Sequence, residues 1–291
     1  MTAKVSLVGA GPGDAELLTL KALKAIERAD AVVYDRLVSE DVLALIPRGV
    51  ARFFAGKSCT QKAMTQEEIN DLLVALARQG KQVVRLKGGD PFLFGRGGEE
   101  AQHLAKHHID FKIIPGITSA QGCAATAGIP LTHRGLATGV RFITGHIQSC
   151  GEPKAKNAGS HAADRDPVQP LPVSQDLQLD WQSLADADTT LVVYMGLANL
   201  GIIAEKLVEH GLDKHMPAAA IQDGTTDKQR VILSTLCDIS QAVQDAKLEP
   251  PTLVIIGKVA ALALNPAAQE TRTPDIIQRN LPCAAASQPA G

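Results

Sequence analysis

Short apolar runs rich in β-branched residues alternate with segments of helical periodicity along the chain, and this alternation limits the fold more than any other feature. Eight runs predict strands, at 5–8, 31–34, 82–86, 111–114, 140–144, 190–194, 218–221 and 252–256. Helical patterns cover 16–27 and 66–78, and Thr65 with Glu68 predicts a capping box before the second. Such alternation is typical of α/β layers with largely parallel sheets.

Two breaks in composition divide the 291 residues, a length of about two ordinary domains. Pro115-Gly116 follows a predicted strand and suits a hinge, which predicts an N-terminal α/β domain at 1–114 and a C-terminal α/β domain at 115–265. The stretch at about 150–180 combines four prolines with Gly, Ser, Asp and Gln and has no apolar period, which predicts a mobile insertion. We expect a disordered tail at 266–291.

The composition excludes several classes of protein. A formal charge of -2 supplies no general field for nucleic acid or an anionic membrane, and nine aromatic residues are too few for a base-stacking platform. Five separated cysteines without a CxxC pair indicate a reducing cytoplasm. With neither a signal peptide nor 18 consecutive apolar residues, the chain is expected to be cytoplasmic and not to span a membrane.

Three motifs imitate well-known sites. The segment GAGPGD at 9–14 follows a strand, as a dinucleotide-binding fingerprint does, but the position of the third glycine is occupied by Asp14. A nicotinamide cofactor is therefore disfavoured. The segment is either a tight turn that lets a ligand approach the backbone or a turn without a ligand. Lys57 lies in AGKS at 55–58, which imitates the end of a P-loop, but the first glycine of that motif would have to be position 51, which is Ala51. Lys57 is therefore either a point charge at a site or an ordinary surface lysine. His103, His107 and His108 lack the HExxH pattern, and we expect no metal.

The segment RLKGGDPFLFGRGGEE at 85–100 carries the strongest signal for a site. Five glycines and a proline surround Arg96 directly after a strand, where open α/β sheets place their ligands. Gly88 and Gly89 expose backbone for hydrogen bonds, and Asp90 can accept one from a ribose hydroxyl or an ammonium group. This pattern predicts a binding loop rather than a purely structural connection.

A second polar cluster follows in PGITSAQG and IPLTHRG. Thr118 or Ser119 could contact a ligand or only cap a helix, and Arg134 could bind a carboxylate or lie on the surface. Between residues 85 and 141 we count seven basic and four acidic side chains, a balance of +3. Positive charge is therefore expected to concentrate where the loop motifs lie.

Taken together, these motifs resemble the uroporphyrinogen-III C-methyltransferases, a branch of the S-adenosylmethionine-dependent tetrapyrrole methylase family. The resemblance runs in order over nearly all of residues 4–262 and rests on GAGPGD at 9–14, VVYDRLVS at 32–39, QEEIN at 66–70, RLKGGDPFLFGRGGEE at 85–100, PGITSAQG at 115–122, GIPLTHR at 128–134, VVYMGL at 192–197 and PPTLVIIGKV at 250–259. It implies the class III methyltransferase fold, which has two α/β domains with a cleft between them, in a homodimer.

The resemblance also implies a reaction and the residues that perform it. Methyl groups pass from S-adenosylmethionine to C2 and then C7 of uroporphyrinogen III, giving precorrin-1 and precorrin-2 for sirohaem, cobalamin or haem d1 synthesis. It implies a proton acceptor at Asp35, a proton donor at Lys57 and a catalytic or carboxylate-binding role at Arg96. Residues Glu99 and Arg134 would face the tetrapyrrole. The donor would be held by Pro12, Gly88, Gly89, Asp90, Leu93, Thr118, Ser119, Met195 and Gly224.

The implied reaction sets requirements on the site. Methyl transfer from a sulfonium to a ring carbon needs alignment above all, and a proton must then leave a bridge carbon, to Asp35 or Glu99. No dehydrogenase or chelatase module is evident, so we expect separate proteins downstream. Two alternatives remain. One is a methylase of the same fold that acts on a later corrin intermediate or on ribosomal RNA, although the near-neutral charge of the chain argues against RNA. The other is a tetrapyrrole carrier that has lost catalytic activity.

Overall fold

The computed structural model describes residues 4–56, 64–146, 177–264 and 271–272. Lys57, most of the predicted insertion and most of the predicted tail lie outside these ranges. Two compact units are present, the first comprising the described part of Met1–Pro130 together with Ile221–Val231 and the second most of the remainder. Every helix in the described ranges is too short or too polar to cross a bilayer.

A fully parallel five-stranded sheet forms the centre of the first unit, in the order β3-β2-β4-β1-β5. Its strands are β1 (Val5–Gly9), β2 (Ala31–Tyr34), β3 (Ala51–Phe54), β4 (Val83–Lys87) and β5 (Phe111–Ile114). The helices are α1 (Leu20–Glu27), α2 (Glu40–Ala44), α3 (Gln66–Arg78), α4 (Gly97–Lys106) and α5 (Ser119–Ala127). All connections are crossovers, so the loops that follow the strands lie at one edge of the sheet.

Helices cover both faces of this sheet, which explains why its strands are nearly continuous apolar runs. On one face Leu73 and Leu104 from α3 and α4 pack with Val83. On the other face Ile26 and Val42 from α1 and α2 pack with the strands. The alternation of Val83, Val84 and their neighbours between the two cores fixes the register of β4.

Local sequence sets the helix boundaries. The capping box is confirmed, since Thr65 Oγ1 accepts from the Glu68 N–H at 3.2 Å and Glu68 Oε2 accepts from the Thr65 N–H at 2.6 Å. The predicted helix at 16–27 is wrong at its start. A 3-10 turn occupies Ala15–Leu17, and α1 begins only at Leu20 because the Thr19 hydroxyl caps it by accepting from the N–H of Ala22.

The second unit contains most of a six-stranded sheet in the order β11-β9-β8-β10-β7-β6. Its strands are β6 (Gly139–Thr144), β7 (Thr189–Tyr194), β8 (Pro217–Gln222), β9 (Arg230–Thr235), β10 (Thr252–Ile256) and β11 (Thr271–Arg272), and its helices are α6 (Trp181–Leu184), α7 (Leu200–Glu209) and α8 (Ile239–Asp245). Strands β7 and β10 pair antiparallel, whereas β6 and β7 pair parallel. The sheet is mixed here, so the expectation of largely parallel sheets holds fully only for the first unit.

The contacts group the chain differently from its order along the sequence. Helix α5 and the loop Ile221–Val231, which joins β8 to β9, belong to the first unit. The domain boundaries at 114/115 and 265/266 stay a prediction about the units of folding. The overall arrangement of strands and helices is nevertheless the predicted α/β one.

Candidate functional site

Three loops of the first unit meet through glycine backbone at the carboxyl ends of β1, β4 and β5. The Gly89 N–H donates to the Gly11 carbonyl at 2.7 Å, and the Gly11 N–H donates to the Gly89 carbonyl at 3.2 Å. A Cβ on Gly9 would lie 2.5 Å from the Gly116 nitrogen and 2.6 Å from the Gly89 oxygen. Since backbone atoms surround this position on two sides, only glycine allows the loops to approach so closely.

The Asp90 side chain fastens two of these loops together. Its Oδ1 accepts from the Phe92 N–H at 2.8 Å, and its Oδ2 accepts from the Gly116 N–H at 3.1 Å. Each carboxylate oxygen has a second lone pair, so these bonds leave room for a ligand hydroxyl or ammonium. Asp90 thus shapes the loop, and the predicted contact with the donor stays a prediction.

Pro12 and Gly224, both predicted to bind the donor, lie against the same helix, α5. A Cβ on Gly122 of this helix would lie 2.5 Å from Pro12 Cγ, and one on Gly224 would lie 3.1 Å from Cys123 Cβ. The Asp14 N–H also donates to Thr225 Oγ1 at 3.1 Å. The loop Ile221–Val231 is therefore a fourth part of this site, 211 residues from Asp14 along the chain.

The first residues of α5 complete this side of the site. Thr118 occupies the N-cap position of α5, but its side chain makes no capping hydrogen bond. The alternative that Thr118 serves only as a helix cap therefore has no such bond in its support. A Cβ on Gly89 would lie 3.8 Å from Ser119 Oγ and 3.9 Å from Thr118 Cα. Thr118 and Ser119 are thus neighbours of the glycine loop, and their contact with the donor stays a prediction.

Arg96 and Glu99, both predicted to face a tetrapyrrole, form an ion pair with each other. Arg96 Nε donates to Glu99 Oε1 at 2.8 Å and Arg96 Nη2 to Glu99 Oε2 at 2.7 Å, a bidentate geometry on an exposed surface. This hydrogen bonding raises the pKa of Arg96 and lowers the pKa of Glu99. Glu99 is consequently a weaker base than an ordinary glutamate.

Asp35 follows β2 at the same edge of the sheet. Its Oδ1 accepts from the Leu37 N–H at 3.1 Å, its Oδ2 lies 3.5 Å from Arg85 Nη2, and its side chain is 27% exposed. Leu37 packs beside the glycine loop, since a Cβ on Gly88 would lie 2.6 Å from Leu37 Cβ. The structure therefore brings the turn that follows β2 against Gly88, with one carboxylate oxygen of Asp35 toward Arg85.

A buried charge cluster beneath this edge is absent from the sequence prediction. Glu100 is completely buried, and its Oε1 accepts from Arg85 Nε at 3.0 Å and from Lys87 Nζ at 2.9 Å. Burial first, and then the Arg85 charge, lower the pKa of Lys87. Two of the seven cations counted between residues 85 and 141 are thus internal and paired, so the +3 balance overstates the positive charge open to a ligand.

The remaining predicted residues lie in the second unit or beyond the described ranges. Met195 follows β7 with a φ of 52° and a side chain that is 52% exposed. Arg134 is exposed in a tight turn, where the Ala137 N–H donates to the His133 carbonyl at 3.0 Å. Leu93 is half-buried in the binding loop, and Lys57 is not described. No group of three or more potential metal ligands occurs in the described parts of the chain.

Glycine loops at the carboxyl ends of a parallel sheet, followed by a second mixed sheet, define an α/β protein with a candidate ligand site at that edge of the first sheet. The family model described as Tetrapyrrole (Corrin/Porphyrin) Methylases matches residues 4–240, and the chain belongs to this family.

Several known proteins are similar to this chain over most of its length. A solved structure of uroporphyrin-III C-methyl transferase from Thermus thermophilus, complexed with S-adenyl homocysteine, is 37% identical with a TM-score of 0.68, covering 88% of this chain and 92% of that one. Siroheme synthases from Nitrosospira multiformis and Pseudomonas fluorescens are 49% and 50% identical over 259 residues. Those residues are 89% of this chain but 50% of either relative, so the chain spans about half the length of the curated relatives it matches.

Proposed function

We propose that this protein is a uroporphyrinogen-III C-methyltransferase that transfers methyl groups from S-adenosylmethionine to C2 and C7 of uroporphyrinogen III, giving precorrin-2 by way of precorrin-1. The observation that carries this proposal is the loop Gly88–Gly89–Asp90, joined to the loops after β1 and β5 in a chain similar over most of its length to a transferase solved with the demethylated donor. Precorrin-2 would then serve sirohaem, cobalamin or haem d1 synthesis.

The residues present fit such a donor. A Cβ on Gly89 would lie 3.8 Å from Ser119 Oγ, an ordinary contact distance, so this loop backbone and the Ser119 hydroxyl are close enough to contact the same ligand. The Gly88 backbone, the second lone pair of the Gly89 carbonyl and the Asp90 carboxylate suit an adenosine and an amino-acid group, and Leu93 suits its apolar parts. With Pro12, Thr118, Ser119 and Gly224 these residues of the first unit form the proposed donor site. The family resemblance also assigns donor binding to Met195.

When bound, the donor supplies an electrophilic methyl group on a sulfonium. The substrate carries carboxylates around its rim, and Arg96 and Arg134 would bind them as fixed cations. Arg96 must exchange Glu99 for a substrate carboxylate, which a surface ion pair permits because it is worth only about 1 kcal/mol or less.

Proton removal follows methyl transfer, and Asp35 is the proposed acceptor. Glu99 is the alternative acceptor, and while it is bonded to Arg96 the pKa of Glu99 is lowered. Arg96 itself stays protonated and acts in binding. Lys57 remains the proposed proton donor on the strength of the family resemblance.

Anaerobic incubation with S-adenosylmethionine and freshly reduced uroporphyrinogen III, followed by mass spectrometry, tests this proposal. The expected products carry one and then two added methyl groups. A protein that binds S-adenosylhomocysteine but adds no methyl group would refute the assignment of the substrate and leave the family unaffected. Labelled methyl groups located by NMR would check C2 and C7.

We further propose a homodimer that acts in the cytoplasm and passes its product to separate dehydrogenase and chelatase activities. Oxidation and metal insertion need sites other than the proposed methyl-transfer site. Sedimentation equilibrium of the purified chain tests the dimer, and a monomer at micromolar concentration with full activity would refute it.

A further inference from the structure

Beneath the proposed site, four side chains of alternating charge run from the surface into the core. Asp35 is partly exposed, Arg85 lies behind it, Glu100 is completely buried, and Lys87 is the last member. Their formal charges sum to zero. Nothing in the proposed reaction uses Arg85, Lys87 or Glu100 directly.

The sequence places these groups on one buried face. Arg85 and Lys87 are two residues apart on β4, so both side chains point to the face covered by α3 and α4. Glu100 comes from the first turn of α4, where a carboxylate is also favoured by the helix dipole. Burying three charges is costly unless they are paired, and here a single oxygen, Glu100 Oε1, pairs with both cations.

The Arg85 guanidinium is fixed from several sides. Its Nη1 donates to the carbonyls of Val33 at 3.4 Å and Leu86 at 3.1 Å, while its Nε donates to Glu100. Only Nη2 faces Asp35, at the longer separation of 3.5 Å. Glu100 therefore neutralises one of the two buried positive charges, and the Asp35 carboxylate is held only loosely by Arg85 at the edge of the site.

We propose that Glu100 is a positioning residue of the transferase, which acts through Arg85 to keep the Asp35 carboxylate open to the substrate. This inference rests on the proposed function, in which Asp35 accepts a proton. Without the charge of Glu100, the buried Arg85 and Lys87 have Asp35 as the nearest remaining carboxylate of the cluster. Asp35 is then drawn toward Arg85 and away from the substrate.

The test compares Glu100→Gln with a charge-balanced double variant. Glu100→Gln removes the negative charge of this side chain and keeps its shape. The double variant Glu100→Gln with Lys87→Met also removes one buried positive charge, so that the remaining charges of Asp35 and Arg85 sum to zero. A control, Leu104→Ala, opens a cavity in the same helix, α4, at a side chain that is 1% exposed. It lowers stability and leaves all four charges of the cluster in place.

We expect Glu100→Gln to lower kcat for methyl transfer by about tenfold or more, with S-adenosylhomocysteine affinity within about twofold of wild type. The double variant should recover a substantial part of kcat, and Leu104→Ala should retain kcat below its melting temperature. An unchanged kcat in Glu100→Gln, a parallel loss of donor affinity, or no recovery in the double variant would overturn the proposal.

Crystal structures separate this inference from the proposed function. In Glu100→Gln the distance between Asp35 Oδ2 and Arg85 Nη2 should be shorter than 3.5 Å and the carboxylate less exposed. An unmoved Asp35 would refute the positioning role even if the variant were inactive. If wild type transfers no methyl group, the proposed function fails, and the position of Asp35 alone decides the structural part.

Discussion

Gly9→Ala tests whether the close contact of three loops creates the donor site. The new Cβ would lie 2.5 Å from the Gly116 nitrogen and 2.6 Å from the Gly89 oxygen, against 3.4–4 Å for an ordinary contact. Relief therefore needs a shift of about 0.8 Å or more in backbone that hydrogen bonds hold in place. We expect a loss of about 1–3 kcal/mol in unfolding free energy, typical of overpacking.

Gly98→Ala is the matched control. Gly98 lies in the first turn of α4 with nothing within 4 Å of a Cβ and no positive φ, so alanine should be neutral or stabilise by about 0.4–1 kcal/mol. Urea unfolding followed by circular dichroism measures both changes, and calorimetry measures the affinity for S-adenosylhomocysteine, which should fall only in Gly9→Ala. A Gly9→Ala protein with wild-type stability and affinity would refute the steric reasoning.

Three further predictions concern other parts of the chain. Arg96→Leu should abolish methyl transfer while leaving S-adenosylhomocysteine binding nearly intact, and lost donor affinity in calorimetry would move Arg96 to the donor site. Burial raises the pKa of Cys123 to about 12, so at pH 8 this thiol should resist iodoacetamide in the folded protein while the exposed Cys237 reacts, as peptide mass mapping would reveal; equal rates would contradict the burial. Thr65→Ala removes the cap of α3 and should cost about 0.5–2 kcal/mol in urea unfolding, and no loss would mean that the cap is dispensable.

Most regular structure was predictable because periodicity and capping are local. All eight predicted strands are present, and the helix at 66–78 has the predicted bounds. Strand β3 was missed because its four residues include Arg52, which weakens the apolar signal. Strand β9 was also missed, although its apolar residues gave a usable signal. The start of α1 was misplaced because the apolar pattern continues through the 3-10 turn before the Thr19 cap.

The glycine loops at the candidate site were predictable, but their partners were not. A run of glycines after a strand indicates a ligand loop, whereas nothing local indicates that Gly224 lies against Cys123. The ion pair between Arg96 and Glu99 did have a local signal, since the two residues are three positions apart at the start of α4. The buried cluster was missed because a polar residue in a strand is normally assigned to the surface. The signal present was two cations at alternate positions of an otherwise apolar strand, Arg85 and Lys87.

The loop Ile221–Val231 has a consequence for how the chain folds. Its hydrogen bonds to Asp14 and to Thr126 of α5 join residues that are 211 and 103 positions apart, and such non-local pairings form late because long loops must close first. During synthesis, the first 130 residues can form their parallel sheet well before their last contacts exist. During that time the glycine turn after β1 would lack its contact with Thr225, and the donor site would be completed only after residue 225 has left the ribosome.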